Sequence, residues 1–176
     1  MNKIEMTKKV PIDIYQDAVD FLLYEAELID DGRFTEWLDL MADDFTYRIP
    51  IRVTREKAAR SEFSDLAFHM NETKSTMEMR VQRSYSQYNW AEDPISRTRH
   101  FLTNFRARLV EDHENEIHFK SNFLIFRGQF DSPTNQFLSG ERHDTLRLED
   151  GDWKLVNRLI LLDHATIPMK NLAIFI

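Results

Sequence analysis

Apolar and polar residues alternate over four long stretches between Arg97 and Asp163, which is the spacing of half-buried β-strands. In the first stretch, the apolar and small residues at every second position are Phe101, Thr103, Phe105, Ala107 and Leu109. The positions between them are polar apart from Leu102, and they include His100, Asn104, Arg106 and Arg108. The pattern predicts an antiparallel meander of four strands, with His100 on a solvated or ion-paired face of the first strand.

A tight turn at Asp150-Gly151 predicts the register of the last two strands, because these residues accept the positive φ values of a two-residue hairpin. The predicted cross-strand pairs are Leu148 with Trp153, Leu146 with Leu155, Asp144 with Asn157, and His143 with Arg158. Neighbours along a strand point to opposite faces, so Asp144 is not expected to orient His143. Arg158 is the expected neighbour of His143.

The first half of the chain predicts helices. An amphipathic stripe predicts a helix over 12–31 that ends at Gly32, and a second short helix follows with Phe34, Trp37, Leu38 and Met41 on one face. A third helix is predicted over 72–85, although the β-branched residues Thr73 and Thr76 disfavour a helix. The two N-terminal helices are expected to form a hairpin.

The remaining segments are an alternating strand, two irregular segments and an apolar tail. The strand covers 45–53, and Pro50 within it indicates an outer strand or a bulge. We expect a surface excursion over 54–68 and a loop over 86–96. The apolar end of the chain, Leu172–Ile176, is expected to add a strand to the sheet or to dock on a neighbouring chain.

Helices followed by a bent antiparallel sheet predict an α+β fold in which the helices close one face of the sheet. Among folds with this order, we expect the cystatin-like cone of the nuclear transport factor two superfamily. Its members enclose a pocket between the helices and the curved sheet. The chain is expected to form one domain over 1–176, with a flexible N-terminal arm over about residues 1–10.

The composition of the chain excludes several kinds of partner and several kinds of metal site. The 176 residues carry a net charge of −7, so we expect no attraction to nucleic acid or to an anionic membrane. The segment 1–10 lacks the apolar core of a signal peptide, and no apolar run is long enough to span a bilayer, so a cytoplasmic location is expected. The chain contains no cysteine, which excludes disulfides, thiolate zinc sites and any iron–sulfur cluster held by this chain, including a Rieske centre.

Several histidines stand beside acidic residues and are candidates for a metal site or for acid and base catalysis. His113 and His118 stand among Glu111, Asp112, Glu114 and Glu116, a composition that a non-haem iron site could use. A solvated polar turn between two strands is the preferred interpretation. The pairs His143-Asp144 and Asp163-His164 resemble acid and base dyads, but neither is predicted to be catalytic.

Two rival functions stay open at this point. A self-sufficient cone-fold dehydratase or isomerase would pair a histidine inside the cone, such as His69 or His143, with an aspartate or with a tyrosine such as Tyr47. A ligand-binding module would line an apolar pocket with Phe63, Phe68, Met70, Met77 and Met79, residues that more often pack in a core.

The segments that carry a resemblance to a known family are 21–30, Trp37-Leu38, 42–44, 90–94, 96–100, 121–123, 159–163 and 171–175. Together they resemble the small (β) subunit of bacterial aromatic-ring-hydroxylating dioxygenases. They span nearly the whole chain in the order found in the family. Residues 90–100 are more similar to the biphenyl, toluene and phenylpropanoate branches than to the naphthalene branch. Ile95 departs from the family, in which a second proline would follow Pro94.

The resemblance implies a cone fold and a hexamer of three large and three small subunits. In this family the Rieske [2Fe-2S] cluster and the mononuclear Fe(II) belong to the large subunit. The complex converts an arene to a cis-dihydrodiol with O2 and electrons from NAD(P)H, delivered through a reductase and a ferredoxin. The resemblance implies no catalytic, cofactor-binding or metal-binding residue in the small subunit. The expected interface residues are Trp90, Arg97, Arg99, His100 and Phe175.

Overall fold

The computed structural model describes residues 10–53, 61–85, 96–110, 113–129, 134–169 and 174–176. The expected N-terminal arm, apart from Val10, and the expected loop over 86–96, apart from Ser96, lie outside these ranges. Trp90 is therefore outside the described residues.

Three helices and six strands make up the described chain. The helices are α1 (Ile12–Asp30), α2 (Phe34–Asp39) and α3 (Lys74–Ser84). The strands are β1 (Met41–Arg52), β2 (Phe63–Thr73), β3 (Arg97–Val110), β4 (His113–Gly128), β5 (Gln136–Glu149) and β6 (Asp152–Leu162). They form one sheet in the order β2-β1-β6-β5-β4-β3, in which β1 and β6 are parallel and all other neighbours are antiparallel. The predicted α+β cone, with helices packed on a curved sheet, is confirmed.

The helices lie close to the predicted positions, except that α2 ends at Asp39 and does not reach Met41. α1 buries Ala18, Leu22 and Ala26 against the sheet, and Gly32 follows it with a φ of 70°. The threonines that disfavour a third helix form its N-terminal cap instead. The hydroxyl of Thr73 accepts a hydrogen bond from the backbone N–H of Thr76, and the hydroxyl of Thr76 accepts one from the backbone N–H of Thr73.

The first two strands differ from the prediction. β1 is an inner strand, between β2 and β6, and the edge is β2, part of which was predicted as a surface excursion. The pairing of β1 with β2 shifts register on both sides of Pro50, so Pro50 lies at a bulge. The bulge is the second of the two predicted positions for this proline, and it needs no edge strand. Met41 begins β1 instead of ending α2.

A bulge in β3 corrects the predicted faces of this strand. Thr103 pairs with Asn122 and Arg106 with Lys120, so Asn104 and Phe105 together face one residue of β4, and Asn104 has a φ of 57°. The extra residue reverses the alternation. His100 is therefore buried, and Phe101 is exposed.

A second bulge, in β6, shifts the predicted hairpin register by one residue. The pairs Leu148 with Trp153 and Leu146 with Leu155 are confirmed. Beyond them Val156 has no partner, and Asp144 consequently faces Arg158, while His143 faces Leu159. The prediction that Arg158 would neighbour His143 is wrong.

The described end of the chain adds no strand and lies inside its own cone. Ile174, Phe175 and Ile176 are buried. The ring of Phe175 packs 4.6 Å from the ring of Trp37 and 5.0 Å from that of Phe34, measured between centroids. The tail therefore covers the interior of the cone.

Candidate functional site

Among the described residues, four charged side chains contact one another inside the cone, and we call them the buried charge cluster. They are Glu25 of α1, Arg142 and Asp144 of β5, and Arg158 of β6, each at most 2% exposed. The alternation of β5 places Arg142 and Asp144 on the same inner face as buried Leu146. The bulge in β6 brings Arg158 to that face.

Arg158 joins the two carboxylates. Its Nη1 and Nη2 donate to Glu25 at 2.6 and 2.9 Å, and its Nε and Nη2 donate to Asp144 at 2.8 and 3.1 Å. The indole Nε1 of Trp37 donates a further bond of 2.8 Å to Glu25. Two bidentate pairs on one guanidinium hold all three charged groups in fixed positions.

The cluster keeps Glu25 and Arg158 ionised. Burial alone would raise the pKa of Glu25, but Arg158 and Arg142 outweigh it and hold the pKa at about 2. Burial alone would lower the pKa of Arg158, but Asp144 and Glu25 raise it above its ordinary value. Neither group is poised to exchange a proton near neutral pH.

Arg142 is the less satisfied member of the cluster. Its Nη1 lies 3.4 Å from Glu25, and its side chain lies 5.5 Å from the ring centroid of Phe123. Its Nε and Nη2 make no hydrogen bond within the described residues. Burial, with the repulsion of Arg158, lowers the pKa of Arg142.

The chain end and Tyr47 close the same space. The Tyr47 hydroxyl donates to the main-chain oxygen of Ile176 at 3.1 Å, and Nη1 of Arg158 donates to this oxygen at 3.3 Å. Burial raises the pKa of Tyr47 to about 12. Tyr47 is thus a buried hydrogen-bond donor and not an accessible acid.

His100 connects β3 to α1 and the tail. Its Nδ1 lies 2.6 Å from Asp30 Oδ1 and its Nε2 lies 3.2 Å from the main-chain oxygen of Phe175. The hydroxyl of Thr98 and the backbone N–H of His100 also donate to Asp30. Burial alone would raise the pKa of Asp30, but the bonds from His100 lower it. Of the two predicted environments of His100, a solvated face is wrong because the side chain is buried, whereas its contact with Asp30 corresponds to the ion-paired alternative.

The residues of the rival enzyme are not brought together. His143 lies on the outer face of the sheet, where its Nε2 is 2.5 Å from Glu141, whereas Tyr47 is buried inside the cone. His69 is half-buried, and its Nε2 makes no hydrogen bond within the described residues. Asp163 accepts from Ser139 at 2.9 Å. No acid and base pair among these candidates faces the interior.

The residues considered for a metal site and for an apolar pocket do not form either site. His113 and His118 both lie on β4, and Nδ1 of His118 is 3.0 Å from the hydroxyl of Thr145. In the described part of the chain, no group of three histidine or acidic side chains is arranged to hold a metal ion. Met70 and Met77 of the expected apolar pocket are core residues, while Met79 is exposed.

The expected interface residues occupy different places. Arg97 and Arg99 are exposed on β3, which is an edge strand, and Arg99 is 64% exposed with its Nη1 3.8 Å from Asp30. His100 and Phe175 are buried within this chain. Of the helices in the described ranges, none combines the length and the apolar character that a bilayer crossing needs.

These observations define a class of protein: a cystatin-like cone whose interior holds a cluster of ion pairs and the end of its own chain. Among solved structures, naphthalene 1,2-dioxygenase with indole bound in the active site aligns with a TM-score of 0.84 at 24% identity, covering 96% of this chain and 89% of that chain. A second structure, of a protein from Novosphingobium aromaticivorans proposed to be a scytalone dehydratase, aligns with a TM-score of 0.65 at 14% identity. The alignment covers 87% of this chain and 86% of that chain. Both show the fold.

Sequence comparison identifies the family. The ring hydroxylating beta subunit family matches residues 24–169. The benzene 1,2-dioxygenase subunit beta of Pseudomonas putida is 35% identical over 94% of this chain and 90% of its own length. The biphenyl 2,3-dioxygenase subunit beta of Rhodococcus jostii (strain RHA1) is 35% identical over 96% and 93%. The N,N-dimethyl phenylurea N-demethylase subunit beta of Sphingobium sp. (strain YBL2) is 35% identical over 89% and 88%.

The chain belongs to the ring hydroxylating beta subunit family, as its segments implied. It is the small, non-catalytic subunit of a ring-hydroxylating dioxygenase, an oxidoreductase, and it pairs with a large subunit. The predicted resemblance is confirmed, and the dehydratase alternative is the less supported one.

The buried charge cluster was missed by reasoning from the sequence. One signal was present: the alternation of β5 placed Asp144 on the same face as Leu146, which is a buried position. The roles of Glu25 and Arg158 had no comparable signal, because each depends on a contact between distant elements.

Proposed function

We propose that this chain assembles with a large oxygenase subunit into a hexamer of three large and three small subunits. The complex would convert an arene, O2, NAD(P)H and a proton into a cis-dihydrodiol and NAD(P)+. Electrons would pass from a reductase through a ferredoxin to the large subunit. We place this reaction in the cytoplasm, where NAD(P)H is available. The chain would form one domain over 1–176, because all described strands share one sheet.

The interior of the cone around Arg158 supports the assignment of a non-catalytic role. Arg158, both of its carboxylate partners and the tail are buried there, and none of the candidate acid and base pairs faces this interior. The Rieske cluster does not fit the residues of this chain, and within the described residues no three histidine or acidic side chains are arranged to hold the mononuclear iron. A Rieske centre needs two cysteine ligands, and the sequence contains none. Both groups are therefore assigned to the large subunit.

The names of the relatives suggest the class of substrate. They include subunits of a benzene, a biphenyl and a chlorobenzene dioxygenase. We therefore infer an apolar arene of one or two rings. A relative named as an N-demethylase subunit shows that this substrate class has to be measured and not assumed.

We further propose that Trp90, Arg97, Arg99, His100 and Phe175 belong to the region that contacts the large subunit. Arg97 and Arg99 would reach the partner directly, because exposed guanidinium groups suit bidentate pairing with carboxylates. His100 and Phe175 would act indirectly. They bond to each other through Nε2 and a main-chain oxygen, and so fix β3 relative to the tail.

The decisive experiment is co-expression with a candidate large subunit that carries Rieske ligands. We expect the two chains to co-purify in equal numbers at the mass of a hexamer, with iron and acid-labile sulfide in the complex and cis-dihydrodiol as product. The purified small subunit alone is expected to convert no arene and to dehydrate no substrate. Turnover by the isolated chain, or failure of the two chains to associate, would overturn the proposal.

A further inference from the structure

An open cleft of about 750 Å³ lies between the N-terminal part of α1 and the turn that joins β5 to β6, and we call it the apolar cleft. Ile14 and Phe21 line its helix side, and Leu148 and Trp153 line the side next to the turn. Leu148 is 41% exposed, and Phe21 and Trp153 are half-buried. No described residue covers this surface, so an occupant with apolar side chains would remove it from water.

Carboxylates surround the apolar cleft. Its described lining residues include four exposed aspartates, Asp17, Asp20, Asp39 and Asp152, and a single lysine, Lys154. The ammonium group of Lys154 donates to the main-chain oxygen of Asp39 at 2.6 Å, and none of the four carboxylates forms an ion pair with a described residue. The rim is therefore negative, and a cationic occupant would match its charge.

The sequence carries such a segment immediately before α1. Residues 1–9 lie outside the described residues, and their sequence is MNKIEMTKK. The segment combines three lysines, one glutamate and three apolar residues, which are Lys3, Lys8, Lys9, Glu5, Met1, Ile4 and Met6. Its net charge is positive, whereas the whole chain carries −7. Both the charge and the apolar content of the segment are complementary to the apolar cleft.

The segment is attached next to the cleft and is long enough to span it. α1 begins at Ile12, and Ile14 already lines the cleft. Tyr24, the last residue of α1 in the lining, lies about 18 Å along the helix from Ile12. Nine residues in an extended conformation reach roughly 30 Å. Residues 1–9 can therefore run back along α1 over the whole cleft.

We propose that residues 1–9 bind in the apolar cleft of their own chain, with the lysines beside the rim aspartates and the apolar side chains against Phe21 and Trp153. Because the segment is tethered to α1, binding is intramolecular, and its high effective concentration allows weak contacts to hold it. A bound segment replaces the flexible arm that the sequence predicts. It also closes the cleft to segments of other chains. The inference does not depend on the proposed hexamer.

The test captures the segment with paired cysteines, which report only the chosen contact because the natural chain contains none. One variant carries Ile4→Cys with Tyr24→Cys, whose position lines the cleft. The matched control carries Ile4→Cys with Leu23→Cys, the preceding residue of α1, which does not line it. Tyr24 is 42% exposed and Leu23 46%, so an unbound segment would reach both positions equally. Disulfide formation within the isolated full chain is measured in a glutathione redox buffer at low and high salt.

We expect the effective concentration of the two thiols to be about tenfold higher for the Tyr24 pair than for the Leu23 pair at low salt. The ratio should fall in 1 M salt, which screens the lysines from the aspartates, and in a chain that also carries Lys8→Glu and Lys9→Glu. Equal effective concentrations for the two pairs, or a ratio that neither salt nor charge reversal changes, would overturn the inference.

A second experiment identifies the occupant directly. Tyr24 is replaced by the photoreactive residue p-benzoylphenylalanine, and the peptide it links to is identified by mass spectrometry in the isolated chain and in the complex with the large subunit. We expect the linked peptide to come from residues 1–9 of the same chain in both samples. A link to a second small subunit or to the large subunit in its place would assign the cleft to that partner and reject the proposed occupant.

Discussion

Arg158 donates two hydrogen bonds to Asp144, at 2.8 and 3.1 Å, from the position directly opposite it in the sheet. The register counted from the Asp150-Gly151 turn would place Arg158 one residue away, on the outer face. The bulge at Val156 reverses the alternation of β6, so the guanidinium points inward and reaches Glu25 of α1 as well. The one-residue bulge in β6 thus allows Arg158 to connect α1 with the sheet.

Replacing Arg158 with Met should be strongly destabilising. The substitution leaves Glu25 and Asp144 buried without their main cationic partner, and such a loss costs about 3–5 kcal/mol. Urea unfolding of the isolated chain measures the effect. The control is Arg83→Met at an exposed position, where we expect a change within about 0.5 kcal/mol. Equal stability of the two variants would show that the cluster does not hold the cone together.

Acid should weaken the fold as Glu25 takes up a proton. The pKa of Glu25 is about 2 in the folded chain against 4.5 for the free group, so ionised Glu25 stabilises the fold above about pH 4.5. This contribution, about 3 kcal/mol, is lost as the pH falls from 4.5 to 2. The free energy of unfolding, measured by urea titration at each pH, checks the prediction.

The matched variants for this pH dependence are Glu25→Gln and Glu78→Gln. Glu25→Gln should be less stable at neutral pH, because Arg158 loses an ionised partner, and it should lose less stability between pH 4.5 and 2. Glu78 is exposed on α3, and its substitution should leave the acid dependence unchanged. An unaltered acid dependence in Glu25→Gln would contradict the assignment.

Gly140 is required where β5 approaches β6. A Cβ at this position would collide with the main-chain oxygen of Leu161 and lie 3.0 Å from the ring of Phe123. Gly140→Ala is therefore expected to destabilise the chain by about 3 kcal/mol, since backbone gives way poorly. Gly128→Ala, whose Cβ would meet the ring of Phe126 at 3.4 Å, is the control for thermal unfolding. Similar melting temperatures for the two variants would refute the prediction.

Much of the fold follows from the sequence because it depends on local patterns. The periods of α1 and of the four meander strands, the turn at Asp150-Gly151 and the position of Gly32 all correspond to elements of the structure. The bulges at Asn104 and Val156 could not be predicted, because neither has a distinctive sequence. Each bulge reverses the side-chain direction for the rest of its strand.

The site was harder to predict than the fold for the same physical reason. An alternation without bulges predicts Arg158 on the face opposite to Leu155 and His100 on the polar side of its strand, and the bulges turn both of them inward. Their burial is tolerated because Glu25 and Asp30, at different points of α1, compensate them. Such pairings join distant parts of the chain and leave no periodic signal.

The tail should contribute to stability through Phe175. Its ring packs against Trp37 and Phe34 and is 4% exposed, so Phe175→Ala is expected to cost about 3–5 kcal/mol in urea unfolding. Phe101→Ala, at an exposed position of β3, is the control and should change stability far less. If Phe175→Ala leaves the isolated chain unchanged, the tail does not complete the core.

Arg99 offers the sharpest test of the proposed subunit contact. Its side chain is 64% exposed on the edge strand β3, and the carboxylate nearest to it within the described residues, that of Asp30, is 3.8 Å away and already bonded to His100. Arg99→Glu should therefore leave the stability of the isolated chain nearly unchanged, while it weakens association with the large subunit by repulsion. The measurements are the yield of co-purified large subunit and the mass of the complex, compared with Arg83→Glu. Iron content per assembled complex should not change, because the metal sites are assigned to the partner. Undiminished co-purification would remove Arg99 from the interface.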